Sequence, residues 1–291
     1  MDVHAAFFGR TTLDVLYSLD ALPPEDSKVF ARDFRAAPGG PACNAAITFA
    51  LLGGRATLVT PLGKGSWAAI VRDHLARHQI NLVDLAGSTA YETPLTTVLA
   101  ASVHGTRTII NPPLSLLALE TPAPEWNADW APSPSVVLTD GFHLNESLPM
   151  LRACRAIGAA LVLDGGSWKP GTEELAPLLT AAICSERFTV PGLTASPETT
   201  LRWFAAQGVP SAAVTRGPAP IFALHQGLRF TIEIPPTTAI DTLGAGDVLH
   251  GAFCYHYAVA GDFEQSLRTA ASIATESCRS LGIEGLKRAR S

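Results

Sequence analysis

The chain of 291 residues carries 21 lysines and arginines against 26 aspartates and glutamates, a formal net charge of −5. With 47% hydrophobic and only 16% charged residues it is not a disordered chain, and its mild acidity argues against a dedicated nucleic-acid binder, which would carry a basic face. At this length a core can be buried without a disulfide or metal staple, in one large domain or two small ones.

From the N-terminus onward, short apolar runs alternate with amphipathic stretches, the rhythm of an α/β protein. Residues 5–9 (AAFFG) predict a first buried strand, and the opening MDVHAAFFGRTTLD has no basic region leading into a secretory cleavage pattern. Residues 13–34 alternate apolar and polar side chains around the turn signal Pro23-Pro24-Glu25-Asp26, predicting a hairpin with one polar face. Residues 44–52, apolar on nearly every face and stopped by Gly53-Gly54, predict a buried helix. A strand is expected over 56–63. Ser66 then caps a predicted helix to His78, with Trp67, Ile70, Val71 and Leu75 on its inner side. Residues 93–111 repeat the hairpin pattern around His104-Gly105. The two hairpins could pair into a small sheet over the main one or serve as ordinary edge strands, and pattern alone leaves both open.

Residues 111–134 hold six of the 22 prolines and read as an irregular connector. Beyond it, strands are predicted over 136–138, 160–163, 181–184 and 212–215, and helices over 146–157, 172–179 and 197–207. A hairpin over 221–234 turns at Gln226-Gly227, and helices over 247–260 and 263–281 end the pattern. No run of 18 apolar residues suggests a membrane span. Cys43, Cys154, Cys184, Cys254 and Cys278 are scattered without CxxC spacing, as expected for reduced, packed thiols in a cytoplasmic protein rather than a zinc site. The basic residues Lys287, Arg288 and Arg290 read as a solvated tail.

The stretch IDTLGAGDVLHGAF, residues 240–253, is the most informative. Gly244-Ala245-Gly246 permits a tight turn into a helix, and backbone N–H groups at such a turn form an anion site. Asp247 beside it could take a proton from an incoming hydroxyl. The same residues also fit a plain turn in which Asp247 caps the helix. GKGS at 63–66 is not a Walker A loop, since Leu58 replaces the first glycine and Gly65 the hydroxyl residue. GAGDVL lacks the third glycine of a dinucleotide fingerprint and comes too late in the chain. In APGGPACNAA, residues 37–46, the glycine pair would let a ligand approach the backbone, and Asn44 offers both donor and acceptor. A helix cap is the alternative there. Asp14 and Arg107, one in each hairpin, read individually as solvated charges.

Together, GGPACNAAITFALLGG and DTLGAGDVLHGAF, about 200 residues apart, resemble the PfkB/ribokinase family of carbohydrate kinases. VTRGPAP at 214–220 resembles the family's nucleotide-binding strand and turn. The resemblance implies a single ribokinase-like α/β domain over residues 1–291. It would be a three-layer fold with a central, mostly parallel sheet flanked by helices and a small β-sheet lid from about 12–36 and 93–111. It implies ATP-dependent phosphorylation of a sugar, with Mg2+ and a monovalent cation such as K+ as cofactors. By motif position Asp247 would be the general base and Gly244, Ala245 and Gly246 the anion hole. Asp14, Gly40 and Asn44 would hold sugar hydroxyls, and Arg107 would approach the phosphate or an anionic substrate group. Thr215 and Gly217 would line the ATP pocket. The chain departs from the family pattern in three places. Lys64 follows Gly63 where an aspartate is common, and Pro41 follows the glycine pair. Ser185 and Phe188 stand where a metal-linked Asn-x-x-Glu belongs, which leaves Glu186 as the metal candidate. Local motifs resemble ketohexokinase and, in LDGGSWKPG, sulfofructose kinases, which implies a ketohexose or an anionic derivative. A nucleoside or phosphosugar kinase and a non-catalytic sugar or nucleotide sensor are the alternatives. A lid sheet left exposed could pair two copies into a homodimer.

Overall fold

The structure is a computed structural model that describes residues 2–87, 91–101, 106–113, 119, 133–280, 282–283 and 286. Most of the expected connector over 111–134 and the basic tail lie outside the described residues. The main sheet has nine strands in the order β13-β12-β11-β10-β9-β8-β1-β4-β5. These are β1 (His4–Phe8), β4 (Arg55–Thr60), β5 (Asn81–Asp84), β8 (Val136–Thr139), β9 (Ala160–Gly165), β10 (Ala181–Ser185), β11 (Ser211–Arg216), β12 (Ala219–His225) and β13 (Leu228–Ile232). All pair in parallel except the terminal hairpin β12–β13, which joins β11 antiparallel.

Parallel strands need cover on both faces, and the sequence supplies it by alternation. Ala5 and Phe7 point into one apolar layer beneath α1 (Pro41–Leu51), α2 (Ser66–Arg77), α6 (Ala245–Ala260) and α7 (Phe263–Ser277). Ala6 and Phe8 point into the other, covered by α3 (Leu144–Ala156), α4 (Thr172–Leu175) and α5 (Pro197–Ala206). The result is the three-layer architecture expected from the family resemblance.

The two early hairpins do join. β2 (Thr12–Leu19), β3 (Asp33–Gly39), β6 (Leu95–Ala101) and β7 (Thr106–Ile110) form a separate sheet in the order β3-β2-β6-β7. β2 pairs in parallel with β6, which makes one sheet of two hairpins, so the edge-strand alternative falls.

Several local expectations are corrected. Helix α2 buries Ala68, Val71 and Leu75, whereas Trp67 and Ile70 are exposed, because the buried residues at i, i+3 and i+7 set a face that excludes them. Gly65, not Ser66, is the residue before that helix, and no side chain caps it. Helix α1 begins three residues before Asn44, at Pro41, whose missing N–H costs nothing at the first helical position. The helix expected over 172–179 is one α-helical turn followed by a 3-10 turn at Ala176–Leu178. Strand β5 was not anticipated, being only four residues long and polar at both ends.

Candidate active site

The two motifs meet where α1 crosses α6. A Cβ on Gly251 would lie 2.4 Å from the carbonyl oxygen of Ala45, so the glycine is what lets the helices approach this closely. That crossing brings Asn44 to Asp247, and the Asn44 amide donates to Asp247 Oδ2 at 2.7 Å. Asp247 sits in the first turn of α6 behind Gly244, which holds φ 74°, and its side chain makes no capping bond. The plain-cap alternative for Asp247 therefore does not hold.

Burial, reinforced by the neighbouring Asp164 carboxylate, raises Asp247 to about 7 against the opposing pull of Asn44 and His250. A carboxylate so tuned can accept a proton near neutral pH. Beside it, the space a Cβ would take on Gly246 is open, leaving the N-terminus of α6 accessible to an anion. Asp241 shapes the approach to this turn, since its carboxylate accepts from Leu243 N at 2.8 Å and Gly282 N at 3.1 Å.

Asp14 lies on β2, its carboxylate held by the Thr12 hydroxyl. Burial raises its pKa. A Cβ on Gly39 of β3 would fall 2.1 Å from Asp14 Oδ2, so the first glycine of the pair exists to make room for this carboxylate. Gly40 has φ 95° and precedes α1; a Cβ there would meet the Arg10 carbonyl oxygen at 2.2 Å. Arg107, on the exposed β7, reaches across from the small sheet, and its Nη1 donates to Thr242 Oγ1 at 2.7 Å.

Three groups that sequence reasoning missed organise this region. Asp140, at the end of β8, accepts from Arg10 N (2.9 Å), Ala42 N (3.2 Å) and Phe142 N (2.9 Å), tying β1 to the start of α1. Its burial raises it to about 6 despite those bonds and Lys169. Asp164, at the end of β9, and His250, on α6, are 6% and 4% exposed, with Oδ2 and Nδ1 3.3 Å apart. The same Nδ1 lies 2.7 Å from the Gly246 carbonyl oxygen, and Nε2 lies 3.0 Å from that of Ile183. Carbonyls only accept, so whichever ring nitrogen carries a proton donates to one of them, and Asp164 lies beside Nδ1. Their position alone was legible: Asp164 directly follows a buried apolar run and Asp140 follows one with Thr139 between, at the carboxyl ends of parallel strands where ligands bind.

The remaining predicted residues stand at the neighbouring edge. Thr215, at the end of β11, donates from its hydroxyl to the Cys184 carbonyl oxygen at 3.3 Å. Gly217 turns the chain at φ 59° with open space around it. Glu186 is exposed, and its backbone N–H donates to the Thr215 carbonyl oxygen. Phe188 is buried between Trp168 and Phe204 and offers no ligand atom. Among the described residues, no three His, Cys, Asp or Glu side chains could together hold a metal ion.

Residues 4–286 match the family described as pfkB family carbohydrate kinase. The ribokinase of Bacillus subtilis is 23% identical over 299 residues, covering 95% of this chain and 93% of its own. A ribokinase-like protein from Agrobacterium tumefaciens superimposes with a TM-score of 0.85 at 25% identity, over 99% of this chain and 97% of its own. The Arabidopsis thaliana ribokinase, solved with ribose and ATP, gives 0.79 at 18% identity over 99% of both chains. The chain belongs to the pfkB family of carbohydrate kinases.

Proposed function

We propose that the protein transfers the γ-phosphoryl group of ATP to a hydroxyl of a small sugar of the ketohexose type. Asp247 takes the hydroxyl proton as the oxygen attacks phosphorus and ADP leaves. The N–H groups at Gly244, Ala245 and Gly246 receive the transferred phosphoryl oxygens, and Asp14, Gly40 and Asn44 hold the sugar. Thr215 and Gly217 line the ATP site. The observation that carries this reading is Asp247 itself, raised to about 7 and fixed by Asn44 beside the open start of α6. Phosphoryl transfer asks mainly for such alignment and charge neutralisation.

In this reading the small sheet is a lid on a single domain, and Arg107 joining Thr242 supports it. A closed lid excludes water that would otherwise take the phosphoryl group. Mg2+ bound with the nucleotide would offset its phosphate charge, with exposed Glu186 the residue assigned to meet it and K+ a further cofactor. A homodimer through the lid would cover the outward apolar residues Phe34, Ile109, Ile110 and Phe30, the last 89% exposed. The bound relatives' sugar and nucleotide, and five cysteines free of disulfides, support sugar and ATP as ligands and a cytoplasmic location.

The test is ADP release from Mg-ATP with fructose, tagatose, ribose, fructose 6-phosphate and adenosine, with Asp247→Asn alongside. Ketose turnover lost in the variant upholds the proposal. Turnover confined to adenosine or the sugar phosphate replaces it with a nucleoside or phosphosugar kinase. Ligand binding with no turnover on any of them points to a substrate outside this panel or to a sensor.

A further inference from the structure

Arg10, just beyond β1, is 8% exposed, yet its guanidinium makes one hydrogen bond among the described residues, from Nη2 to Asn111 Oδ1 at 3.0 Å. Its Nε is buried without a partner. No carboxylate among the described residues lies within ion-pairing distance of it, although Asp14 and Asp140 are close enough to be felt electrostatically. The guanidinium carbon lies 5.4 Å from the centre of the Phe142 ring, and Lys169 Nζ lies 4.4 Å from the same centre. Lys169 Nζ is tied to Ser167 through its carbonyl and hydroxyl oxygens at 3.1 and 3.3 Å. Next along the chain, His143 has a second buried, unpartnered nitrogen, Nε2, and burial with the Arg10 cation pushes it down to about 4, so the ring is neutral at physiological pH.

A buried guanidinium N–H left without a partner is costly, and buried polar groups without partners call for one. These groups cluster at the carboxyl ends of β1, β8 and β9, against the residues assigned to the sugar: the Arg10 carbonyl lies against Gly40, and Asp14 feels the Arg10 charge. A planar fork of donors fits two oxygens of one anionic group far better than a hydroxyl. We infer that Arg10 forms an anion subsite, with Lys169 adding positive potential beside the same Phe142 ring, and that the substrate is a sugar bearing a single negative charge, a carboxylate foremost. Asp14 and Asp140 nearby offset the two cations, which disfavours a phosphate dianion.

This inference rests on the carbohydrate-kinase reading of the same cleft, and direct binding measured without ATP keeps the two separable. Calorimetry on the full chain would compare fructose and ribose with gluconate, 2-ketogluconate, a 6-sulfonated fructose and fructose 6-phosphate. The acids should bind about tenfold or more tighter than the neutral sugars, losing affinity with added salt. Arg10→Gln should cost the carboxylates about 10- to 100-fold, the range for a lost charge-assisted pair, and the neutral sugars under about threefold. Asn111→Ala, which keeps the cation, should spare the acid preference. Neutral sugars binding as tightly as acids, or equal losses on both classes in Arg10→Gln, would overturn the subsite. The sulfonate binding tightest would keep the subsite and make a sulfonate its group; the phosphate binding tightest would overturn the single-charge assignment. Should Arg10→Gln not fold, the wild-type comparison decides alone. Acid binding without phosphoryl transfer would keep the subsite and reject the kinase reading; turnover of a neutral sugar with no acid binding would do the reverse.

Discussion

Asn44 and Asp247, 203 positions apart in the chain, are joined by a single 2.7 Å hydrogen bond from the asparagine amide to the carboxylate. The bond stabilises the ionised form and opposes the burial that raises Asp247 to about 7. It therefore sets both where the carboxylate points and the pH at which it can accept a proton.

Replacing Asn44 with Ala removes the donor and leaves Asp247 more strongly disfavoured as an anion. The inflection in kcat/KM against pH should move to higher pH, because the proton is then held more tightly. At neutral pH the rate should fall about 10- to 100-fold, the scale of a hydrogen bond to a charged group. A pH profile for kcat/KM checks both; an unmoved inflection would show that Asn44 does not tune Asp247.

Asp247→Asn should slow phosphoryl transfer by about 10²–10⁴-fold and yet stabilise the fold. A carboxyl whose pKa is raised on folding binds more protons folded than unfolded between about 4 and 7, so its contribution to stability falls as pH rises across that window. The variant escapes this loss. Its advantage, on the order of 2–4 kcal/mol, should vanish below pH 4 and be full above pH 7. Urea melts of both proteins at pH 4 and pH 8 would measure it. Equal stability at pH 8 would mean that Asp247 is not held against its own charge.

Gly39→Ala would place a methyl group 2.1 Å from Asp14 Oδ2, where no Cβ fits. The carboxylate must swing away. If Asp14 holds the sugar, KM should rise at least about tenfold, as for a lost hydrogen bond to a charged group, while kcat changes little. Steady-state kinetics with the preferred sugar, beside a thermal melt to confirm folding, separates this from simple unfolding.

How much of this was legible in the sequence depends on what each residue type can announce. Alternating strands, buried helices and glycine punctuation announced the layered fold, because period and turn chemistry are local properties. Asp247, Asn44 and Gly40 were legible because glycine-rich turns beside a lone polar residue are rare in an apolar run. Strand β5, four residues with Asn81 and Asp84 at its ends, carried no periodic signal. Trp67 and Ile70 misled, since a wide apolar helix face does not say which side meets the sheet. Arg10, Asp140, Asp164 and His250 acquire their roles only when separate strands and α6 converge. Asp140 is spent entirely on backbone N–H groups from three places in the chain, a role that spacing does not encode.

Asp164 and His250 give the last prediction. Their pairing is buried, and His250 also ties α6 to β10 through the Ile183 carbonyl. Asp164→Asn replaces the buried carboxylate beside His250 Nδ1 and should lower the stability of the fold. The same change removes a negative charge that helps to raise Asp247, so the inflection in the pH profile should move to lower pH. His250→Gln removes the group that draws Asp247 down, and there the inflection should move to higher pH. Opposite shifts from two neighbouring substitutions are a signature that general loosening of the site would not produce. If both variants move the inflection the same way, or neither does, the pair is a structural tie without influence on the base.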